Sequence, residues 1–460
     1  MSLLIGSKKR QNIVDLRLNY PEKFGRFIMA LKNLINSADW SRICGIHGNT
    51  FMPGDSGVYC PTDVATVTKI GGTGEPFYCK HGVYSFIAWH TPYVYQFELL
   101  LNKYNNSKTS SEYIALPWLD LTDFTADLTF LNDPEITIFY DKRRFTTENP
   151  LAGAYYYVDG VRCRTTRAGF FTPTNKKQRS QLNVVKKQLN NALWATSYEQ
   201  FSSDAGKKST ASPLETPHNS LHDIIGGGSG NMSSVDIAAF DPVFWLHHCN
   251  MDRHYYSWTH RNTDGFKKSL YPDLMQEKTY NEPCAPFFKG YIYANDWNNY
   301  YWGFQNDSKV YMKVGDVLSL GRFPYTYDII TPAPPEELRA YVELNDIPVP
   351  RESVEINVYF HMGDTVLDRE AHWAGSAFWF GINRDKIACG RCSSNLINIK
   401  IDIQEFVTTA GLTNAILSGY TMIIEATGRL IMDGSLPGGG YRVYTMAELI
   451  GSGSTQIVVV

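Results

Sequence analysis

Histidines with the spacing of metal ligands occur as two groups of three in this 460-residue chain. The first group lies within the first hundred residues and the second further on: His47, His81 and His90, then His218, His222 and His248. Imidazole suits copper in both of its common oxidation states, and three imidazoles leave room on each ion for a small exogenous ligand. Two such sites facing each other could bind dioxygen, so the pattern indicates an oxygen-handling copper protein and favours an oxidase.

The second group is predicted to lie on two helices. His218 and His222 are four residues apart, so on a helix both rings point to one side. Pro242 fits the first turn of another helix, which carries His248 and reaches about residue 260. These two helices would present all three rings to one site.

The first group needs three separate segments. Residues 84–104 read as a helix that carries His90. His81 is nine residues earlier, which is about half a turn out of phase on an ideal helix, so we place it in the loop entering that helix. His47 belongs to a further segment, and residues 21–36 form an amphipathic helix nearby. The sequence therefore predicts four helices that converge on a buried metal site.

Composition restricts the class of protein. A net charge of -3 gives no reason to expect nucleic acid or an anionic membrane as a partner. No run of about 18 apolar residues exists, which argues against a membrane span. The short apolar run 3–5 precedes a Lys-Lys-Arg cluster, the reverse of a secretory signal, so we expect a cytoplasmic protein. Eight scattered cysteines are too sparse for a disulfide framework and agree with a reduced compartment.

The character of the chain changes near residue 330. A Pro-rich stretch at 331–337 reads as a linker. After it come alternating, β-branched runs separated by glycines, the pattern of an antiparallel sandwich. The fold class is therefore α+β, with a helical four-helix-bundle domain at 1–330 and a β-sandwich domain at 338–460. The polar, basic stretch 176–208 is expected to be a surface excursion.

The motifs of the second histidine group resemble those of a known family. PHNSLH, GGG, MSS, AFDPVFWLHH and NMDR follow one another in an order that chance would rarely produce. With GIHG, YCKHG, AWHTPY, LPWLD and FPYTYD, they resemble the type-3 copper proteins, which are the tyrosinases, catechol oxidases and molluscan-type haemocyanins. The similarity is greatest to fungal tyrosinases. It implies two copper ions, held by the two groups of three histidines, with His247 as a supporting or packing residue.

The resemblance also assigns residues around the first copper site. It implies a thioether bond between Cys79 and His81, which would fix the orientation of that ring; the alternative is a buried free thiol. The family often has arginine after the third histidine of the first group, whereas this chain has Thr91. Substrate preference at that copper is therefore open.

Residues beside the second copper receive roles in the same way. The resemblance places the ring of Phe244 over the copper, although a core position is the alternative, and makes Asp252 a supporting residue. It implies that Glu215 and Asn219 hold a water that takes the proton of an incoming phenol. An exposed carboxylate in a helical first turn is the alternative for Glu215.

The C-terminal domain carries two further signals. Cys389 and Cys392 form a C-x-x-C pair, for which a redox pair or half a zinc site is the default interpretation; the resemblance implies delivery of Cu(I), which suits soft thiolates. It also implies that this domain covers the copper site and inserts one side chain there. Phe380 is the first candidate, Phe378 the second, and a sandwich core position is the alternative for both.

The expected function is copper-dependent oxidation of phenols by O2. The resemblance implies ortho-hydroxylation of monophenols and oxidation of o-diphenols to o-quinones, latent until a protease removes the C-terminal domain. Two alternatives stay open: a catechol or o-aminophenol oxidase without hydroxylation, and a haemocyanin-like O2 carrier. Small phenols and O2 are the expected partners, and an activating protease and a homo-oligomer are further candidates.

Overall fold

The computed structural model describes most of the helical region and the strands of the C-terminal region. The described residues are 8–48, 79–105, 112–158, 161–203, 213–261, 278–288, 311–318, 323–331, 340–348, 354–362, 368–379, 396–409, 420–429, 441–444 and 454–459. Helices dominate up to residue 331 and strands dominate from residue 340, so the predicted α+β class is confirmed. No helix in the described part of the chain has the length and apolar content needed to cross a bilayer.

The described helices are, in chain order, α1 Ile13–Asn19, α2 Pro21–Ile35, α3 Ala38–Gly48, α4 Phe86–Tyr104, α5 Lys176–Ala192, α6 Tyr198–Ser202, α7 Glu215–Gly226, α8 Val235–Ala238, α9 Pro242–Arg261, α10 Val314–Val317 and α11 Gln404–Thr409. The described strands before the Pro-rich stretch are β1 Lys9–Arg10, β2 Glu135–Tyr140, β3 Arg143–Glu148, β4 Tyr155–Val158, β5 Val161–Arg164, β6 Pro283–Phe288, β7 Tyr311–Lys313 and β8 Thr326–Tyr327. Those after it are β9 Ala340–Pro348, β10 Val354–Met362, β11 Trp373–Trp379, β12 Leu396–Asp402, β13 Tyr420–Arg429, β14 Tyr441–Tyr444 and β15 Ser454–Val459.

The helices begin and end close to the predicted residues. Pro21 occupies the first turn of α2, and apolar residues spaced three or four apart bury one face of that helix. Helix α4 is buried on nearly all sides, which its mostly apolar sequence requires. Helix α9 begins at Pro242, as the sequence predicts. These elements bring the histidines into one core.

The expected surface excursion at 176–208 is wrong for its first half. Residues 176–192 form helix α5, whose N-terminus is capped by the Asn175 side chain. Leu182, Val185 and Leu189 are buried on one face, because their spacing of three and four places them on one stripe. The many lysines and asparagines between them conceal this periodicity in the sequence. Residues 204–208 lie outside the described residues.

The C-terminal region forms two antiparallel sheets with a shared core. One sheet has the strand order β11-β10-β13-β14 and the other β12-β9-β15. Buried residues of both sheets form one apolar cluster, separate from the larger cluster of the helical region. This is the sandwich that the alternating runs predict.

Strand β11 joins the sandwich to the helical region. It contacts α5 and α7, and α7 carries two of the predicted copper ligands. Val184 of α5 packs against Tyr359 and Trp373 of the sandwich in a small apolar cluster. Phe378, also on β11, is partly buried against the core of the helical region. The sandwich therefore rests on the helices that surround the histidines.

Candidate metal centre

The six predicted ligands lie together where four helices meet. His47 is near the end of α3, His90 lies on α4, His218 and His222 lie on α7, and His248 lies on α9. His81 lies in the loop before α4, as the sequence predicts. The two groups face each other: the ring centroids of His90 and His248 are 4.7 Å apart, and those of His81 and His218 are 5.5 Å apart.

The first group brings three imidazole rings and one thiol to one point. The potential ligand atoms of His47, Cys79, His81 and His90 all lie within 4.8 Å of one another. Nδ1 of His47 lies 2.9 Å from the carbonyl oxygen of Val235, and Nδ1 of His90 lies 2.8 Å from that of Phe86. Because a carbonyl only accepts, each Nδ1 donates and each Nε2 keeps a lone pair. Nε2 of His47 is buried without a hydrogen-bond partner, which suits a metal ligand.

The second group is tighter still. Potential ligand atoms of His218, His222, His247 and His248 lie within 4.8 Å of one another. Nε2 of His248 lies 3.2 Å from Nε2 of His218 and 3.1 Å from Nε2 of His222. Nδ1 of His222 donates to the carbonyl of Met232 at 2.8 Å, so its Nε2 carries a lone pair. A cation shared by these nitrogens satisfies lone pairs that otherwise face one another.

Burial keeps the imidazoles in the form that binds metal. Desolvation lowers the pKa of His47 to about 4. It also lowers the pKa of His81, His90, His218 and His248 well below the ordinary value, and the neighbouring histidines lower each further. All are therefore neutral near pH 7, as metal ligation requires. Two all-imidazole groups suit copper rather than calcium or magnesium, which prefer oxygen ligands.

Cys79 faces the ring of His81. Its sulfur lies 3.2 Å from Nδ1 and 3.9 Å from Nε2 of that ring, and 3.7 Å from Nε2 of His90. The thioether stays a prediction, and the contact places the sulfur where such a bond would form. No helix holds His81, so a covalent link would fix its ring in the way that supporting contacts orient other ligands.

Phe244 lies between the two groups. Its ring centroid is 4.0 Å from that of His248 and 4.9 Å from that of His47, and the side chain is fully buried. The core position and the position beside the second group are thus compatible. The ring excludes water from the ligands on both sides.

Glu215 and Asn219 border the second group. The Glu215 side chain is only 7% exposed, so the alternative of an exposed first-turn carboxylate is wrong. Its Oε1 accepts a hydrogen bond from the backbone N–H of Gly82 at 2.7 Å. Oδ1 of Asn219 lies 2.9 Å from Nδ1 of His218. Glu215 therefore connects the helix of the second group to the loop of the first.

Asp252 stabilises the helices that carry His90 and His248. Its carboxylate accepts hydrogen bonds from the Thr91 hydroxyl at 2.7 Å and from Arg10 at 2.9 Å. Tyr325 and Tyr327 donate to the same carboxylate at 2.7 and 2.6 Å. Thr91 follows His90, so the threonine that departs from the family pattern holds α4 against α9.

A match to a family model now identifies the class of protein. The model is described as the common central domain of tyrosinase, and it matches residues 37–261, a range that contains all six predicted ligands. The stretch from residue 37 to residue 261, just under half of the chain, belongs to the tyrosinase family of type-3 copper proteins. The predicted resemblance is confirmed, and with it the expectation of a dinuclear copper cofactor, which both histidine groups fit.

Several known proteins share part of the sequence or most of the fold. The tyrosinase of Podospora anserina is 28% identical over 339 residues, which cover 61% of this chain and 57% of that protein. An oxygen-bound mutant of Aspergillus oryzae pro-tyrosinase superposes with a TM-score of 0.64 at 19% identity, covering 91% of this chain and 93% of the other. The deoxygenated haemocyanin of Rapana thomasiana gives 0.64 at 17% identity, covering 99% of both chains. The chain spans about half the length of the curated fungal relatives it matches.

Some features near the site were missed by the sequence analysis, and other predicted residues lie outside the described part of the chain. Sequence reasoning passed over Arg10 and Glu98, which form a fully buried ion pair at 2.7 Å. Arg10 follows two lysines and Glu98 lies in an apolar helix, so neither position gave a pattern from which to infer the pairing. Phe380, Cys389 and Cys392 are not among the described residues, so the insertion of Phe380 and copper delivery by the cysteines stay predictions.

Proposed function

We propose that this protein is a copper-dependent phenol oxidase. His47, His81 and His90 would hold one copper ion, and the second would be held by His218, His222 and His248. The observation that carries the proposal is the convergence of two neutral three-imidazole groups, with ring centroids as close as 4.7 Å between them. When bound, the copper ions supply the redox chemistry with O2 and a template for the substrate.

The residues of the chain would bind, orient and deprotonate the phenol. Phe244, with its ring against His248, supplies an apolar wall beside the second group. The Glu215 carboxylate would take the phenolic proton, directly or through a water held with Asn219. The hydrogen bond from Gly82 supports this role because it fixes one oxygen of the carboxylate beside the loop of His81. Deprotonation by Glu215 would allow monophenol hydroxylation in addition to oxidation of o-diphenols.

The C-terminal sandwich would act as a removable cover. Strand β11 rests on α5 and α7, and Phe378 packs against the helical core, so the sandwich lies next to the second group. The match to a protein named pro-tyrosinase supports a latent form. A protease that cuts in the Pro-rich stretch at 331–337 would activate the enzyme. The cytoplasmic location is also proposed.

One assay separates the candidate functions. Copper-loaded protein, before and after removal of the sandwich by limited proteolysis, is given tyrosine and then a catechol, with copper-free protein as the control. Turnover of both substrates, rising after proteolysis, is the expected result. Turnover of catechol alone would identify a diphenol oxidase. Reversible O2 binding without turnover in either form would identify an oxygen carrier, a candidate that the structural match to a haemocyanin supports. Equal activity before and after proteolysis would contradict latency.

A further inference from the structure

A seventh histidine belongs to the metal centre. His247 precedes His248 on α9, and its ligand atom lies within 4.8 Å of those of His218, His222 and His248. Its ring stacks on His218 at a centroid distance of 5.2 Å and meets His222 edge-on at 4.8 Å. The side chain is 1% exposed. The second group thus offers four buried imidazoles, whereas three complete the proposed copper site.

The hydrogen bonding of His247 is that of a metal ligand. Its ring donates to the backbone carbonyl of His218, and its Nε2 is buried without a partner. This is the arrangement of His47, which donates to the carbonyl of Val235 and leaves Nε2 bare. Metal-binding histidines commonly donate their second ring nitrogen to a carbonyl, which fixes the tautomer and the orientation of the ring.

His248 lacks this support. Its Nδ1 is buried without a hydrogen-bond partner, although its Nε2 lies close to those of His218 and His222. What distinguishes His248 is its contact with the first group, through the ring of His90 at 4.7 Å. Burying a ring nitrogen costs free energy unless a cation or a hydrogen-bond donor contacts it. A metal ion bound at Nε2 of His247 would remove this cost.

We propose that His247 is a fourth metal ligand of the second group, able to replace either His248 or His222 on the copper ion held there. His218 is common to all of these sets. Three imidazoles then remain for the second ion when one of the interchangeable rings is lost or swings away. The inference rests on the proposed dicopper site, and it adds a ligand to that site.

Copper stoichiometry tests the inference without relying on activity. His248→Ala and the double variant His248→Ala/His247→Phe are loaded with copper, dialysed against a chelating buffer that leaves two ions on the wild type, and measured by mass spectrometry of the metal. Phenylalanine keeps an aromatic ring against His218 but has no ring nitrogen that could bind a metal. The single variant should keep two ions per chain and the double variant one, with a dissociation constant for the second ion higher by on the order of a hundredfold.

A second pair of variants guards against misfolding. His222→Ala and His222→Ala/His247→Phe should give the same pattern, and gel filtration with circular dichroism checks each fold. His254→Phe is the matched control, since His254 is a buried histidine two turns further along α9 and outside both groups, so it should keep two ions. A wild type with two ions and a well-folded single variant with only one overturns the inference alone. A wild type that cannot hold two ions overturns the proposed function as well.

Discussion

The sulfur of Cys79 lies 3.2 Å from Nδ1 and 3.9 Å from Nε2 of His81, the two nitrogens that flank ring carbon Cε1. We predict that copper-loaded protein exposed to O2 joins the sulfur to Cε1. The thiol hydrogen and the ring hydrogen are lost as protons, and O2 accepts the two electrons. Peptide mass spectrometry should then show the Cys79–His81 peptide lighter by two hydrogens and resistant to alkylation. Cys44, also buried, is the control and should alkylate after denaturation; a Cys79 that alkylates fully would refute the bond.

Removal of the Asp252 carboxylate should destabilise the protein strongly. Among the described residues, Asp252→Ala leaves the buried guanidinium of Arg10 with Glu98 as its one charged partner. It also removes the acceptor of the Tyr325 hydroxyl and leaves the Tyr327 hydroxyl with the carbonyl of Cys249 alone. Breaking such a buried set costs about 3–5 kcal/mol of unfolding free energy, measured by urea denaturation. Arg369→Ala serves as the comparison because Arg369 pairs with Glu425 at the surface, where solvent screens the pair. An equal effect of the two substitutions would contradict the prediction.

Acid should destabilise the metal-free protein. The folded state lowers the pKa of His47 to about 4 through desolvation, whereas an unfolded histidine titrates near 6.5. Between these values the unfolded chain binds more protons than the folded chain, so stability falls as the pH falls through this window. His47 alone would account for about 3 kcal/mol. Urea melts of metal-free protein between pH 7.5 and 4.5 measure this, and a flat profile would contradict it.

Glu215→Gln should separate the two proposed activities. The amide oxygen of glutamine can still accept the N–H of Gly82, so the loop of His81 stays in place while the base is lost. Tyrosine hydroxylation should fall by about a hundredfold or more, and catechol oxidation should change much less. Glu282→Gln is the matched control, since its carboxylate lies 3.6 Å from Nζ of Lys80 in the same loop. An equal loss of both activities would assign Glu215 a positioning role alone.

Val184→Asp should activate the full-length protein without proteolysis. Val184 of α5 is 4% exposed and packs against the sandwich residues Tyr359 and Trp373. A carboxylate buried at this position would weaken the contact between the helix and the sandwich. Catechol turnover should rise toward that of the proteolysed enzyme. Val161→Asp lies on a strand where the side chain is 64% exposed, and it should leave the latent activity unchanged. If Val184→Asp folds and stays latent, this contact does not hold the cover.

The sequence predicted the histidine-bearing elements well because their signals are local. Helical spacing placed His218 with His222, and Pro242 marked the start of α9. The helix at 176–192 was missed because its few apolar residues are hidden among lysines and asparagines. The hydrogen bonds of Asp252 could not be predicted from local patterns, because they join Arg10 to Tyr325 across more than three hundred residues. The resemblance predicts a supporting or packing role for His247, because the spacing of the family selects the second histidine of the doublet as the ligand.

The parallel pairing of β1 with β8 holds the last described part of the helical region against its first strand. Thr331, the first residue of the Pro-rich stretch and the last described one before residue 340, accepts a hydrogen bond from Arg253, and its own N–H donates to Ser257. A chain cleaved after Thr331 would keep the pairing of β8 with β1 near the N-terminus and the hydrogen bonds of Thr331 to α9. These contacts of Thr331 involve no residue of the sandwich, so removal of the sandwich would leave them in place.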